Sequence, residues 1–108
     1  MAAKSIPHDL LLDSLKDPFV FVDNGHVIRY MNRRAIEDHG EELIGTSIFD
    51  CHGDSSNETI RRIHSKMLDG LEEELITDDA KHRIYMRVVR DGKGALLGYY
   101  ERYEPPEK

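Results

Sequence analysis

The chain has 108 residues, a net charge of −6 at neutral pH, 39% hydrophobic residues and 33% charged residues. This length supports one domain with a small core, and the negative charge argues against nucleic acids or acidic membranes as partners. A single cysteine, Cys51, excludes an intramolecular disulfide and a cysteine-based zinc or iron–sulfur centre, which favours a reducing compartment. The N-terminus has no long apolar run, so we expect neither a signal peptide nor a membrane span, and a cytoplasmic protein.

The first predicted element is an N-terminal helix. Ser5 is a suitable capping residue for its start, and Pro18 is expected to end it. Leu11, Leu12 and Leu15 share one face of this helix, so that face needs an apolar partner.

A β-hairpin is predicted next. Phe19 to Val22 alternate by side but are apolar on both sides, so we expect a strand that is covered on both faces. Asn24-Gly25 tolerates the positive φ angles of a tight turn. His26 to Met31 would return as the partner strand.

Two helical stretches follow the hairpin. Asn32 is a good cap for the first, and Gly40 is a suitable stop. The longest helix is predicted over about residues 56–69, with Ser55 and Glu58 as a capping box. Its apolar stripe contains Ile60, Ile63, Met67, Leu68 and Leu71, with His64 inside the stripe.

Three more strands are predicted in the second half of the chain, at Glu72–Thr77, His82–Arg90 and Ala95–Tyr103. The first of these is acidic and weakly apolar, which suits a sheet edge. Gly98 in the last strand allows another backbone to approach closely. The element order predicts an α+β fold with five mostly antiparallel strands.

The segment from Phe19 to Gly45 resembles the first half of a PAS domain, a sensory module. In that family a strand, a turn of the Asp-x-Gly type and a second strand lead to an Asn, a small residue, a Gly and an acidic-Leu-Ile-Gly turn. The matching residues here are Asp23, Asn24-Gly25, Asn32, Ala35, Gly40 and Glu42-Leu43-Ile44-Gly45. The resemblance covers about residues 6–104 and implies sheet order 2-1-5-4-3, with short helices on one face that enclose a ligand pocket.

This resemblance divides the chain into an N-terminal helix or cap (1–17), a PAS-like domain (18–104) and a tail (105–108). In PAS proteins an N-terminal helix of this kind often packs on the outer sheet face or on a second subunit. The alternative is that it closes only the sheet of its own domain. A fragment of a larger sensor is also consistent with the sequence.

Three residues are candidates for cofactor binding. His64 lies on the core-facing stripe, where it resembles the axial ligand of haem-binding PAS sensors, or it is a buried histidine bonded to a backbone carbonyl. Cys51 and His52 resemble a PAS subgroup with a Cys-His motif before the long helix. They are haem or metal ligands or a redox-sensitive thiol beside a base, or else a buried small cysteine and a loop histidine that makes turn or cap contacts.

The ligand pocket is expected to include Tyr30, Asn32, Ile60, Met67 and Met86. Outward-facing tyrosines would form a dimer patch together with the N-terminal leucines, or would be ordinary sheet-surface residues. No metal site is predicted. No catalytic residues are predicted either, because triads usually converge from separate segments and Cys51-His52 beside Asp50 or Asp54 is the only local set.

These patterns predict a sensory or signal-transduction module and not an enzyme. It would bind a small ligand or a partner protein between sheet and helices as a homodimer, and would signal to an effector domain or partner signalling protein. One alternative is a haem-based gas or redox sensor that uses His64 or Cys51/His52, with haem as the candidate cofactor. The other is a dimerisation module without a ligand.

Overall fold

The computed structural model describes residues 7–51, 53–81 and 83–105. The helices are α1 (His8–Asp13), α2 (Arg33–His39) and α3 (Asp54–Leu68), with 3-10 turns at Glu41–Leu43 and Ile48–Cys51. The strands are β1 (Phe19–Asp23), β2 (Ile28–Met31), β3 (Glu73–Asp78), β4 (Arg83–Arg90) and β5 (Leu96–Glu104). Within the described ranges, no helix is both long and apolar enough to cross a membrane.

The five strands form one sheet in the order β2-β1-β5-β4-β3, and every neighbouring pair is antiparallel. The predicted α+β fold and the predicted strand order are therefore confirmed. β5 lies in the middle of the sheet, where Tyr100 is opposite Phe21 of β1 and Arg87 of β4. Two edges remain, at β2 and at the acidic β3.

The core lies between α3 and one face of the sheet, called here the inner face. Along β1 the side chains of Val20 and Val22 are buried on this face, while Phe19 and Phe21 are half-buried on the opposite, outer face. The buried apolar residues are Val20, Val22, Ile28, Met31, Ala35, Ile48, Ile60, Ile63, Met67, Met86, Val88 and Tyr99. One face of the sheet therefore carries the core, and the other is only partly covered.

Asn32 ties the N-terminal segment to the sheet. Its side-chain oxygen accepts hydrogen bonds from the backbone N–H groups of Phe19 (3.0 Å) and Ala35 (2.9 Å). Its amide nitrogen donates to the carbonyl oxygens of Leu12 (2.9 Å) and Asp17 (3.1 Å). The predicted helix cap is confirmed, and the same side chain also fixes the linker before β1.

The prediction that the first helix extends to Pro18 is wrong, because α1 ends at Asp13. The Ser14 hydroxyl donates to the carbonyl oxygen of Leu11 at 2.6 Å, a local bond that competes with helix continuation. The predicted cap at Ser5 lies outside the described residues. Leu10 and Leu11 of α1 are 57% and 54% exposed and Leu15, after the helix, is 45% exposed, whereas Leu12 is half-buried.

The predicted capping box at the start of α3 is also wrong. The helix begins at Asp54, and Gly53 occupies the capping position in an extended conformation without a side-chain cap. Ser55 is therefore already inside the first turn and cannot act as the cap. Ile60, Ile63, His64 and Met67 are buried as expected, and Leu71 packs against the core, but Leu68 is 64% exposed and does not belong to the buried face.

Candidate functional site

A cavity of about 380 Å³, partly open to solvent, lies between the first turns of α3 and the inner face of β3, β4 and β5. Four serine and threonine residues line it, Ser55, Ser56, Thr59 and Thr77. Its apolar lining comes from Ile60, Ile76 and Ile84. Such mixed lining suits a small molecule with both apolar and hydrogen-bonding groups.

An irregularity in β3 shapes this cavity. The strand register shifts between Leu75, opposite Tyr85, and Thr77, opposite Ile84. Ile76 and Thr77 are adjacent in sequence, yet both line the cavity. A bulge of this type re-aims side chains locally, which a regular strand with alternating faces would not do.

Glu101 and Tyr103 of β5 lie at the boundary between this cavity and a second one of about 110 Å³. Glu101 is only 4% exposed. Burial, together with the carboxylates of Glu101 and Asp38, raises the pKa of Tyr103, so its hydroxyl stays protonated at neutral pH. The two residues bring a carboxyl group and a phenol to the inner face.

A second polar group, called here the histidine pair, consists of His26 and His64. Their rings meet edge to face with centroids 4.6 Å apart. His64 Nε2 lies 3.1 Å from Oδ1 of Asn24, and His26 Nδ1 lies 3.0 Å from the hydroxyl of Tyr99. The pair therefore joins the β1–β2 turn to α3 and to β5.

Burial lowers the pKa of both histidines. For His26, positive charge on His64 or Arg61 lowers the pKa further, while Asp23 acts in the opposite direction. Both rings are accordingly neutral at pH 7, and each offers a donor and an acceptor.

The arrangement around His64 does not fit an axial haem ligand. Its Nε2 is directed at Asn24, and its ring is packed against His26 and lies 5.8 Å, centroid to centroid, from Tyr99. A haem ligand needs a free nitrogen aimed at an open space for a flat macrocycle. Of the other two candidates, the Cys51 backbone ends a 3-10 turn, whereas the Cys51 side chain and His52 lie outside the described residues.

The five residues expected to line the pocket are not brought together. Ile60 lines the cavity beside α3, whereas Met67 and Met86 are fully buried side chains of the core. Asn32 uses its side chain in four backbone hydrogen bonds. Tyr30 lies on the outer face opposite Phe21, and its hydroxyl donates to the carbonyl oxygen of Asp9 at 3.2 Å.

Sequence reasoning missed the polar residues of the cavity. The alternation of β5 does contain a signal, because Glu101 falls between Tyr99 and Tyr103 on the same face. That pattern places the carboxyl on the inner face once the burial of Tyr99 is known. The hydroxyls of Ser55 and Thr59 carry no such signal, since serine and threonine are common on exposed helix surfaces.

The outer face of the sheet is rich in aromatic side chains. Phe19 and Tyr100 stack with centroids 4.6 Å apart, and the guanidinium of Arg102 lies 4.4 Å from the ring centroid of Tyr85. A groove of about 410 Å³ runs beside them and is bordered by Leu15 from the linker after α1. The outer face is therefore partly apolar and adjoins the exposed leucines.

Residues 12–105 match the family model described as PAS fold. The match covers most of the chain, and the protein therefore belongs to the PAS fold family, whose members are sensory signalling modules. No curated protein sequence matches this chain.

Two solved structures have a similar fold. One is a C-terminal domain from Streptococcus mutans, with a TM-score of 0.77 and 16% identity over 91% of this chain and 81% of that one. The other is a sensory box sensor histidine kinase from Vibrio cholerae, with a TM-score of 0.64 and 16% identity over 93% of this chain and 87% of that one. At this identity the likeness concerns the fold alone.

Proposed function

We propose that this PAS domain is a sensory module that binds a small amphipathic ligand in the cavity between α3 and the inner face of the sheet. The observation that carries the proposal is the composition of the lining. Hydroxyl residues of α3 and β3, Ser55, Thr59 and Thr77, line a space of about 380 Å³ together with isoleucines of α3, β3 and β4. Pockets of this kind bury the apolar part of a ligand and orient it through a few polar contacts.

The signal follows from the position of the cavity. A ligand there contacts α3 and β3 together, and it changes the output only if it prefers one arrangement of these elements over another. β3 pairs with β4, and β4 pairs with β5, so a shift at the cavity reaches the centre of the sheet. An effector domain or a partner signalling protein would receive the signal, as the sensor histidine kinase likeness suggests.

Filling the cavity tests ligand binding. A library of small amphipathic compounds is first screened for those that raise the melting temperature of the native protein. Ile76→Phe should abolish the stabilisation by these compounds. A ligand at a hundredfold excess over its Kd adds about 2.7 kcal/mol to the free energy of unfolding, which a melting experiment detects easily. Leu75→Phe is the matched control, because Leu75 lies beside Ile76 but opposite Tyr85 on the outer face.

Two results would contradict this proposal. One is a set of compounds that stabilise Ile76→Phe as strongly as the native chain. The other is a native chain that no compound stabilises, which would favour a dimerisation module without a ligand.

We also propose that the outer face and the exposed leucines form a homodimer interface. Leu10, Leu11 and Leu15 are 57%, 54% and 45% exposed, and Leu15 borders the groove next to Phe19 and Tyr100. A contiguous set of exposed apolar and aromatic side chains is typical of a protein interface.

A charge at Leu15 tests this interface. Leu15→Glu should weaken dimerisation at least about tenfold, because it leaves a carboxylate in an apolar contact. Leu97→Glu is the control, since Leu97 is also 45% exposed but lies on β5 away from the groove lining. Analytical ultracentrifugation measures both, and a native chain that is monomeric at every concentration would rule the interface out.

A further inference from the structure

The hydrogen bonds of Asn24 fix where His64 carries its proton. The Asn24 amide nitrogen donates to the carbonyl oxygen of Leu96 at 2.7 Å, so its Oδ1 is oriented as an acceptor. The His64 Nε2 that lies 3.1 Å from this oxygen must therefore be the donor. Neutral His64 then has its free lone pair on Nδ1, where an added proton would create a cation.

His26 is held in an unusual backbone conformation. Its φ is 65°, the only positive φ among the described residues other than glycine. Its Nδ1 shares a hydrogen bond with the hydroxyl of the fully buried Tyr99. Burial raises the pKa of Tyr99, so the phenol stays neutral and cannot compensate for a cation on His26.

Two charged groups act on His26, Arg61 on one side and Asp23 on the other. Arg61 of α3 lies over the Phe49 ring with its guanidinium carbon 4.1 Å from the centroid, and that ring packs on His26 at 4.6 Å. On the other side Asp23 is the acidic group, and its carboxylate is already bonded to Arg29 at 2.7 Å. A proton on His26 therefore meets Arg61 with little compensation, whereas a proton on His64 is disfavoured by burial.

We propose that the histidine pair is a proton-sensitive contact. At neutral pH two uncharged rings hold the β1–β2 turn against α3. Acidification places a positive charge on a ring of this contact that is largely shielded from water, and the charge gains solvation when the turn loosens from the helix. The proton acts at this contact whether or not a ligand occupies the cavity beside Ser55 and Thr59. The domain would thus respond to mild acid as a separate input.

The direction of the effect follows from proton linkage. Burial lowers the pKa of both histidines in the folded state, so the unfolded chain, with a histidine pKa of about 6.5, binds more protons in mild acid. The stabilisation is fully present above about pH 6.5 and is lost as the pH falls towards the folded-state values. Each histidine can change the unfolding equilibrium constant by at most about tenfold per pH unit.

Two substitutions remove the charge but keep the hydrogen bonds. In His26→Asn the side-chain amide replaces Nδ1 towards Tyr99, and asparagine tolerates the positive φ. In His64→Gln the amide nitrogen replaces Nε2 as donor to Asn24. His8→Gln is the matched control, because His8 is exposed at the start of α1.

The test combines urea unfolding with NMR titration of the histidine ring protons between pH 8 and pH 5.5. Native His26 and His64 should titrate below about pH 6.5, and amides of residues 24–28 and 60–68 should shift with them. His64→Gln should move the His26 midpoint upwards. In the native chain each of the two histidines should change the unfolding equilibrium constant by up to about tenfold per pH unit. The double variant should lose this pH dependence, and His8→Gln should retain it.

Either of two results would overturn the proposal. The first is a native pair that titrates at or above about pH 6.5. The second is a double variant whose unfolding depends on pH as the native chain's does. If the double variant does not fold, the native titration and the His26 midpoint in His64→Gln still decide the matter.

Discussion

Gly98→Ala is expected to lower the free energy of unfolding by about 3 kcal/mol. This value is in the upper part of the range for substitutions that add atoms to a packed site. Gly98 of β5 lies opposite Asp23 of β1, where the two backbones approach closely. An added Cβ would overlap the carbonyl oxygen of Val22 and would lie 2.8 Å from the Cα of Asp23. Because both neighbours are backbone atoms, β1 and β5 would have to separate.

Urea unfolding measures this cost, and a second glycine of the same hairpin provides the control. Gly92 lies in the β4–β5 loop, where an added Cβ would meet no atom within 4 Å. Gly92→Ala should therefore change the free energy of unfolding by less than about 0.5 kcal/mol. Equal effects of the two substitutions would contradict the close approach of β1 and β5.

Asn32→Ala should also cost about 3 kcal/mol, because it removes a helix cap and four hydrogen bonds to backbone groups at buried or partly buried contacts. The side chain is completely buried, and all four of its hydrogen bonds go to backbone atoms. Hydrogen exchange should become faster over residues 8–17, since Leu12 and Asp17 lose their contacts with the sheet. Glu37→Ala, on the exposed side of α2, should leave both measurements unchanged.

Asn32→Asp separates the two halves of the amide. The carboxylate keeps an acceptor for Phe19 and Ala35, but its second oxygen faces the carbonyl oxygens of Leu12 and Asp17. At neutral pH Asn32→Asp should lower the free energy of unfolding at least as much as Asn32→Ala does. In acid the difference in stability from the native chain should become smaller, because a protonated carboxyl can donate a hydrogen bond. Full stability at neutral pH would show that the amide donor is unimportant.

The elements that sequence could predict are those set by local chemistry. The turn after Asp23, the cap at Asn32 and the buried stripe Ile60, Ile63, Met67 depend on periodicity and on residues near in sequence. The positive φ expected at Asn24-Gly25 is a wrong detail of that turn, because it falls on His26. The strand order came from the resemblance to a family, and the observed sheet confirms it.

The candidate site was less predictable because it depends on contacts between distant segments. His26 and His64 are far apart in sequence and meet only because the β1–β2 turn folds against α3. The bulge at Ile76 and the burial of Glu101 arise from strand pairing, which no local pattern specifies. Tyr30 was misplaced because alternation gives two faces but does not say which one the helices cover.

Two-dimensional NMR of the labelled protein, recorded while a stabilising compound is titrated in, measures most directly whether ligands enter between α3 and the sheet. The expected result is a set of shifts concentrated at the amides of residues 55–60, 76–77 and 84, with the outer-face residues Phe19 and Tyr100 little affected. Shifts confined to the outer face, or spread evenly over the chain, would contradict a sensory site on the helix-covered face.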